Sequence, residues 1–169
     1  MAYIIDASSL IESKNRLYDF EVCPGFWDWL SQQNAAGAIY SIQKVKEELL
    51  KGKDDLAKWA KRQGPGFFLP HSDESTMSCM RHITDWVNRW DFKPEAKAEF
   101  LAGADPFLIA YAMAHKHTVV TDETLEPERK NKVKTPVVCH KFQVEWISLL
   151  AMLRQTGARF VLPPSPDAM

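Results

Sequence analysis

Short apolar runs separated by stretches of helical periodicity set the fold class of this chain. Tyr3-Ile4-Ile5, Ala38-Ile39-Tyr40, Phe67-Phe68-Leu69 and Thr118-Val119-Val120-Thr121 are too short for helices and read as buried strands. Helical segments lie between them. Strands alternating with helices define an α/β domain with a mainly parallel sheet. Residues 136–139 (PVVC) and Phe160-Val161-Leu162 read as two further strands. Ligands of such sheets sit at the carboxyl ends of the strands. Asp6 ends the first strand, and Asp122 with Glu123 follows Thr121.

The helical segments carry their own punctuation. Pro24 opens a helix through Trp27, Trp29 and Leu30, with Gly37 at its exit. Ser41 suits the N-cap of a helix that places Ile42, Val45 and Leu49 on one face. At about 100° per residue, Glu48 falls at the edge of that apolar stripe and Glu47 points to solvent. Asp54-Asp55 start another helix, closed by Gly64-Pro65-Gly66. Residues 72–90 repeat apolar side chains at three- and four-residue steps, and Pro94 opens a short helix. Residues 103–123 form one unit: an acidic helix start with Asp105 as N-cap and Pro106 behind it, an apolar helix, a turn, a strand and more acid. Residues 126–134 read as a charged loop and 144–155 as an amphipathic helix ended by Gly157. Residues 10–23 fit no template.

At 169 residues, 46% apolar and 25% charged, the chain can build one substantial core. The expected organisation is one domain over residues 1–162 and a disordered tail over 163–169. A net charge of −1 gives no global basic signature, so a nucleic-acid partner would have to be met by a local patch. Three cysteines without a paired motif fit a reducing, cytoplasmic setting. The opening MAYIIDASSL lacks the basic region of a signal peptide, and no run approaches the roughly 20 apolar residues that span a bilayer. No membrane association is expected.

Four acids have placements that let them converge: Asp6, Glu48, Asp105 and either Glu123 or Asp122. Packed carboxylates repel one another and take up protons unless something compensates them. Mg²⁺ or Mn²⁺ would, since hard cations take oxygen ligands, and such a site hydrolyses phosphodiesters. Each acid also has a bland explanation. Asp105 is accounted for as a cap, Glu48 as an exposed helix residue, Asp6 and the Asp122-Glu123 pair as turn polarity.

The ordered set Y-I-I-D-A-S-S-L-I, V-K-E-E-L, A-D-P-F-L-I-A-Y-A and V-V-T-D-E resembles the PIN-domain nucleases, which include the toxin halves of VapBC toxin–antitoxin pairs. It is most similar to the PIN-like DUF4411 family, with its D-P-F-L-I-A helix and C-terminal P-x-V-C segment. The resemblance covers nearly the whole chain. It implies a three-layer α/β/α PIN-like fold and a Mg²⁺- or Mn²⁺-dependent endoribonuclease. A cognate antitoxin is then the expected partner, and homodimers are common in the family. Asp6, Glu48 and Asp105 match the family's acids, and Ser8 its small hydroxyl residue. The usual Thr-x-Asp is here Thr121-x-Glu123. Glu123 keeps the spacing and Asp122 the residue type, and Glu123 is preferred. The competing readings are a non-catalytic binding module and a DNA-directed nuclease of the same fold.

Other polar residues carry less. His115 and His117 sit where a helix ends and histidine is favoured electrostatically. Cys139-His140, read on a strand, would point to opposite faces. Trp86 and Trp90 are four apart and expected to pack. The basic runs 44–61 and 129–134 are where phosphate contacts would have to come from.

Overall fold

The computed structural model describes residues 1–166. Five strands form one parallel sheet in the order β3-β2-β1-β4-β5. They are β1 (Tyr3–Ile5), β2 (Ile39–Ile42), β3 (Phe68–Leu69), β4 (Thr118–Val120) and β5 (Trp146–Ile147). Strand β1 is central. Ile4 lies opposite Tyr40 on one side and Val119 on the other, so Ile4 and Ile5 are fully buried. A strand covered on both faces has no place for alternating polar residues, which is why three apolar residues suffice to specify it.

Between β1 and β2 run α1 (Ala7–Glu12), a π-helical turn (Ser13–Leu17) and α2 (Pro24–Ala35). Gly37, at φ +77°, closes α2 in a conformation that glycine adopts without strain. Helices α3 (Gln43–Leu50) and α4 (Asp55–Arg62) lead to β3; α5 (Glu74–Arg89), α6 (Pro94–Ala102) and α7 (Asp105–His115) return to β4. Helix α8 (Thr135–Lys141) connects β4 to β5, and α9 (Leu149–Gln155) follows. Parallel crossovers are right-handed. The steps from β1 to β3 move one way along the sheet and those from β3 through β4 to β5 the other, which puts α1–α4 on one face and α5–α8 on the opposite face. Helix α3 accordingly packs on α1 and α4, and α7 on α5, α6 and α8. The direction reverses between β1 and β4, and their carboxyl ends flank that switch point.

Several expectations are corrected. Residues 136–139 are not a strand but the body of α8. Pro136 sits in the first turn, where its missing N–H costs nothing, and burial of Val137 and Val138 overrides their β-branched preference. The helix expected over 144–155 is divided: Trp146 and Ile147 pair with Val119 and Val120, and Ser148 caps the remaining turns. Phe160 joins no strand and packs its ring on Tyr18, Phe26 and Trp29. Ser41 does not cap α3. It lies in β2 and its hydroxyl donates to the Ile5 carbonyl at 2.7 Å. Asp105 is the first residue of α7, with Ala104 in the cap position. Of the expected tail, residues 163–166 are exposed and 167–169 lie outside the described residues. No helix among the described residues is long and apolar enough to cross a membrane.

Candidate active site

Asp6 follows the central strand and caps α1. Its Oδ1 accepts the Ser9 N–H at 2.8 Å. The residue is fully buried, and Oδ2 has no hydrogen-bond partner among the described residues. Burial pushes its carboxyl up to about 6. The Thr121 and Ser9 hydroxyls draw it back towards the ionised form, though neither meets Oδ2 in hydrogen-bonding geometry, and the Glu123 charge adds to the upward push.

Glu48 comes from α3, which packs on α1 in the same helical layer. Its position between buried Val45 and Leu49 aims it inward, while Glu47 is exposed as the helical wheel requires. Glu48 Oε1 accepts the Ala104 N–H at 2.8 Å and so ties α3 to the start of α7. That bond brings Asp105 beside it. Asp105 is pushed up to about 7, first by burial and then by the charges of Asp6, Glu123 and Glu48, with Lys132 acting against them. The positive end of α7 favours an ionised Asp105, but loss of water and three acidic neighbours outweigh it.

Asp122 and Glu123 are held by two different helix starts. Asp122 Oδ1 accepts the Leu149 N–H of α9 at 2.9 Å and the residue is exposed. Glu123 Oε2 accepts the Thr135 N–H of α8 at 3.1 Å. Glu123, not Asp122, lines a cavity of about 230 Å³ together with Ser8, Glu48, Glu99, Asp105 and Lys132. Asp6 lies beneath it.

A pattern runs through these acids. Asp6, Glu48 and Glu123 each have one oxygen held by a backbone N–H, and the second accepts no hydrogen bond among the described residues. Of these second oxygens only Asp6 Oδ2 is buried without a partner; Glu48 and Glu123 are half-buried and theirs remain open to solvent and to a ligand. All the donors are carboxylate oxygens, the set a hard divalent cation takes, and the buried, unpartnered Asp6 Oδ2 is an atom such a cation would satisfy. The residues therefore fit Mg²⁺ or Mn²⁺. As they stand, no three His, Cys, Asp or Glu side chains among the described residues converge into a ready ligand cage.

Other candidates have structural employment. His115 Nε2 lies 3.2 Å from Asp73 Oδ2, and His117 Nδ1 accepts the Ala2 N–H at 3.1 Å. Both lie at the start of β4, away from the acids. Cys139 and His140 are on a helix rather than a strand. Cys139 is buried, and burial and the nearby acids push its thiol far up, while His140 is exposed. Trp86 stacks on Trp90 and meets Phe92 and Phe142 edge-on. Glu99, Ser9 and Thr135 did not emerge as site residues from the sequence, and Lys132 did so only as one member of the basic run 129–134. Glu99 carried the signal that identified Glu48. It follows Ala96 by three residues and precedes Phe100, both buried, as Glu48 stands between Val45 and Leu49.

The fold has a solved counterpart. The structure matches the crystal structure of FitAcB from Neisseria gonorrhoeae with a TM-score of 0.52 at 18% identity, over 86% of this chain and 96% of that one. The likeness, at that identity, is one of fold, and the architecture is the three-layer α/β/α PIN-like one with a five-stranded parallel sheet. In sequence, residues 3–160 match the family described as a domain of unknown function, DUF4411, and the chain belongs to that family. No curated protein matches it.

Proposed function

We propose that this chain is a metal-dependent nuclease of the PIN type that hydrolyses phosphodiester bonds of RNA. The observation that carries the reading is the cavity at the switch point lined by Glu48, Asp105 and Glu123, with the buried, unpartnered Asp6 Oδ2 close to Asp105. Asp6, Glu48, Asp105 and Glu123 would hold Mg²⁺ or Mn²⁺. A bound divalent cation neutralises phosphate charge and makes a water nucleophilic near neutral pH. The backbone N–H groups of Ser9, Ala104 and Thr135 fix one oxygen of three acids, which limits the reorganisation that drawing them onto a cation requires. Asp6 and Asp105, whose carboxyls are pushed up to about 6 and about 7, release protons as the cation binds. The resemblance to toxin halves extends the reading: the chain is the toxin of a toxin–antitoxin pair, working in the cytoplasm, held silent by an antitoxin and able to form a homodimer.

The test is incubation of purified protein with total RNA, single-stranded DNA and duplex DNA, in Mn²⁺ or EDTA, beside Asp6→Asn and Asp105→Asn. RNA cleavage in Mn²⁺ that both variants and EDTA abolish is the expected result. Cleavage confined to DNA would make it a DNA-directed nuclease. No cleavage by wild type in any metal, with no Mn²⁺ binding by calorimetry, would make it a binding module.

A further inference from the structure

Resting on that reading, we infer that Lys132 is the residue that holds the nucleic-acid backbone at the mouth of the cavity, through a phosphate flanking the one at the carboxylates. Residues 129–134 bring four cations near the site, and three are engaged elsewhere. Arg129 pairs with Glu126 at 3.1 Å, Lys130 with Asp91, and Lys134 with Glu126 at 3.4 Å. Lys132 forms no ion pair among the described residues, and it is the one cation lining the cavity. It is exposed, whereas Glu48, Asp105 and Glu123 are half-buried, and its charge reaches Asp105.

The loop holds Lys132 in place. Lys93 N–H donates to the Lys130 carbonyl at 2.9 Å, and Lys130 binds Asp91. On the other side Val133 is buried and contributes to the cavity wall, and Thr135 N–H holds Glu123. With the backbone tethered on both sides, meeting a phosphate orders the Lys132 side chain and not the loop. Lys is a point-charge phosphate binder without base preference, so it positions a strand and does not read sequence. It also answers how a chain of net charge −1 can attract a polyanion into an acidic cavity: its contact is local.

The experiment measures binding separately from cleavage. Fluorescence anisotropy of a labelled RNA and a DNA of the same sequence is recorded against salt in an Asp105→Asn background, with and without Lys132→Ala, Lys132→Arg or Arg129→Ala. Losing one phosphate contact lowers the slope of log K against log salt by about 0.7 for a single strand. Lys132→Ala is expected to show that drop equally on RNA and DNA, Lys132→Arg to restore it, and Arg129→Ala to leave it unchanged. In the cleaving protein, Lys132→Ala raises KM several-fold and leaves kcat within about threefold. An unchanged slope for Lys132→Ala overturns the assignment even if the protein cuts RNA. A parent that neither binds nor cuts any strand overturns the nuclease reading itself.

Discussion

Phe26 and Asp105 are both enclosed by the fold, yet their surroundings have opposite energetic characters. Phe26 is fully buried in an aromatic cluster. Tyr18 stacks on it with ring centroids 4.3 Å apart, Trp27 meets it edge-on at 5.0 Å, and Phe160 closes from the C-terminal segment at 6.1 Å. Phe26 and Trp27 are there removed from water by their aromatic neighbours, with the half-buried Tyr18 and the partly exposed Phe160 covering them. Asp105 is enclosed among groups that repel it, above an Asp6 oxygen with no partner. The first region stabilises the fold; the second is carried by it. A cavity that keeps charge uncompensated is tolerable because the rest of the core provides the surplus, a distribution expected where a site awaits a ligand.

The difference predicts mutations of opposite sign. The largest effect is expected at the aromatic cluster. Phe26→Ala removes a ring from a close-packed site and should destabilise the protein by about 3–5 kcal/mol in urea unfolding. Retention of wild-type stability would mean that Phe160 and Tyr18 collapse into the space, and the cluster would lose its role as the supporting region.

At the carboxylates the sign reverses. Asp6 and Asp105 have folded-state carboxyls raised above their unfolded values. The folded protein thus holds protons that the unfolded chain has released, and its stability falls as pH rises from the unfolded range near 4 through the folded values of about 6 and about 7. For metal-free protein the loss should be on the order of 2–4 kcal/mol for each of the two carboxyls between pH 4 and 7.5, measured by denaturant titration in EDTA. Asp105→Asn should flatten this dependence, stabilise the metal-free protein at pH 7.5, and abolish Mn²⁺-dependent cleavage. Mn²⁺ should raise the stability of wild type, by about 2.7 kcal/mol at a hundredfold excess over its dissociation constant, and not that of the variant. An Asp105→Asn protein less stable than wild type in EDTA would remove the contrast with Phe26.

The two regions were unequally legible in the sequence. The strands β1, β2, β3 and β4 announce themselves because their apolar runs have one interpretation at that length. The acids Asp6, Glu48 and Asp105 were placed by strand end, helical wheel and family motif. Residues 136–139 were misread as strand because PVVC is short, apolar and β-branched, and residues 144–147 as helix because they run unbroken into the periodic pattern that continues to 155. Whether such a run becomes strand or helix is decided by what covers it, here α7 over Val138 and β4 beside Trp146. The placement of Asp105 inside α7 rather than at its cap depended on a bond from Ala104 to Glu48, 56 positions apart. The contributions of Lys132 and Thr135 are likewise long-range. Aromatic convergence was invisible for the same reason: nothing local says that Phe160 returns to Phe26.

The smallest predicted effect separates the adjacent acids. Asp122 and Glu123 differ by one position but serve different helices, because consecutive side chains leaving a strand end point to opposite sides. Asp122 holds the Leu149 N–H of α9, a helix that Ser148 also caps. Asp122→Ala should therefore cost about 1 kcal/mol, as loss of a capping interaction does, and leave cleavage within a few-fold of wild type. Glu123→Gln should do the converse. A neutral amide keeps an oxygen for the Thr135 N–H but removes a charge from the cavity, so stability in EDTA should hold while Mn²⁺ affinity and cleavage fall together. Equal loss of cleavage in both variants would mean that the end of β4 acts as one unit. Loss in Asp122→Ala alone would reassign the fourth acid, and with it the side of β4 on which the site lies.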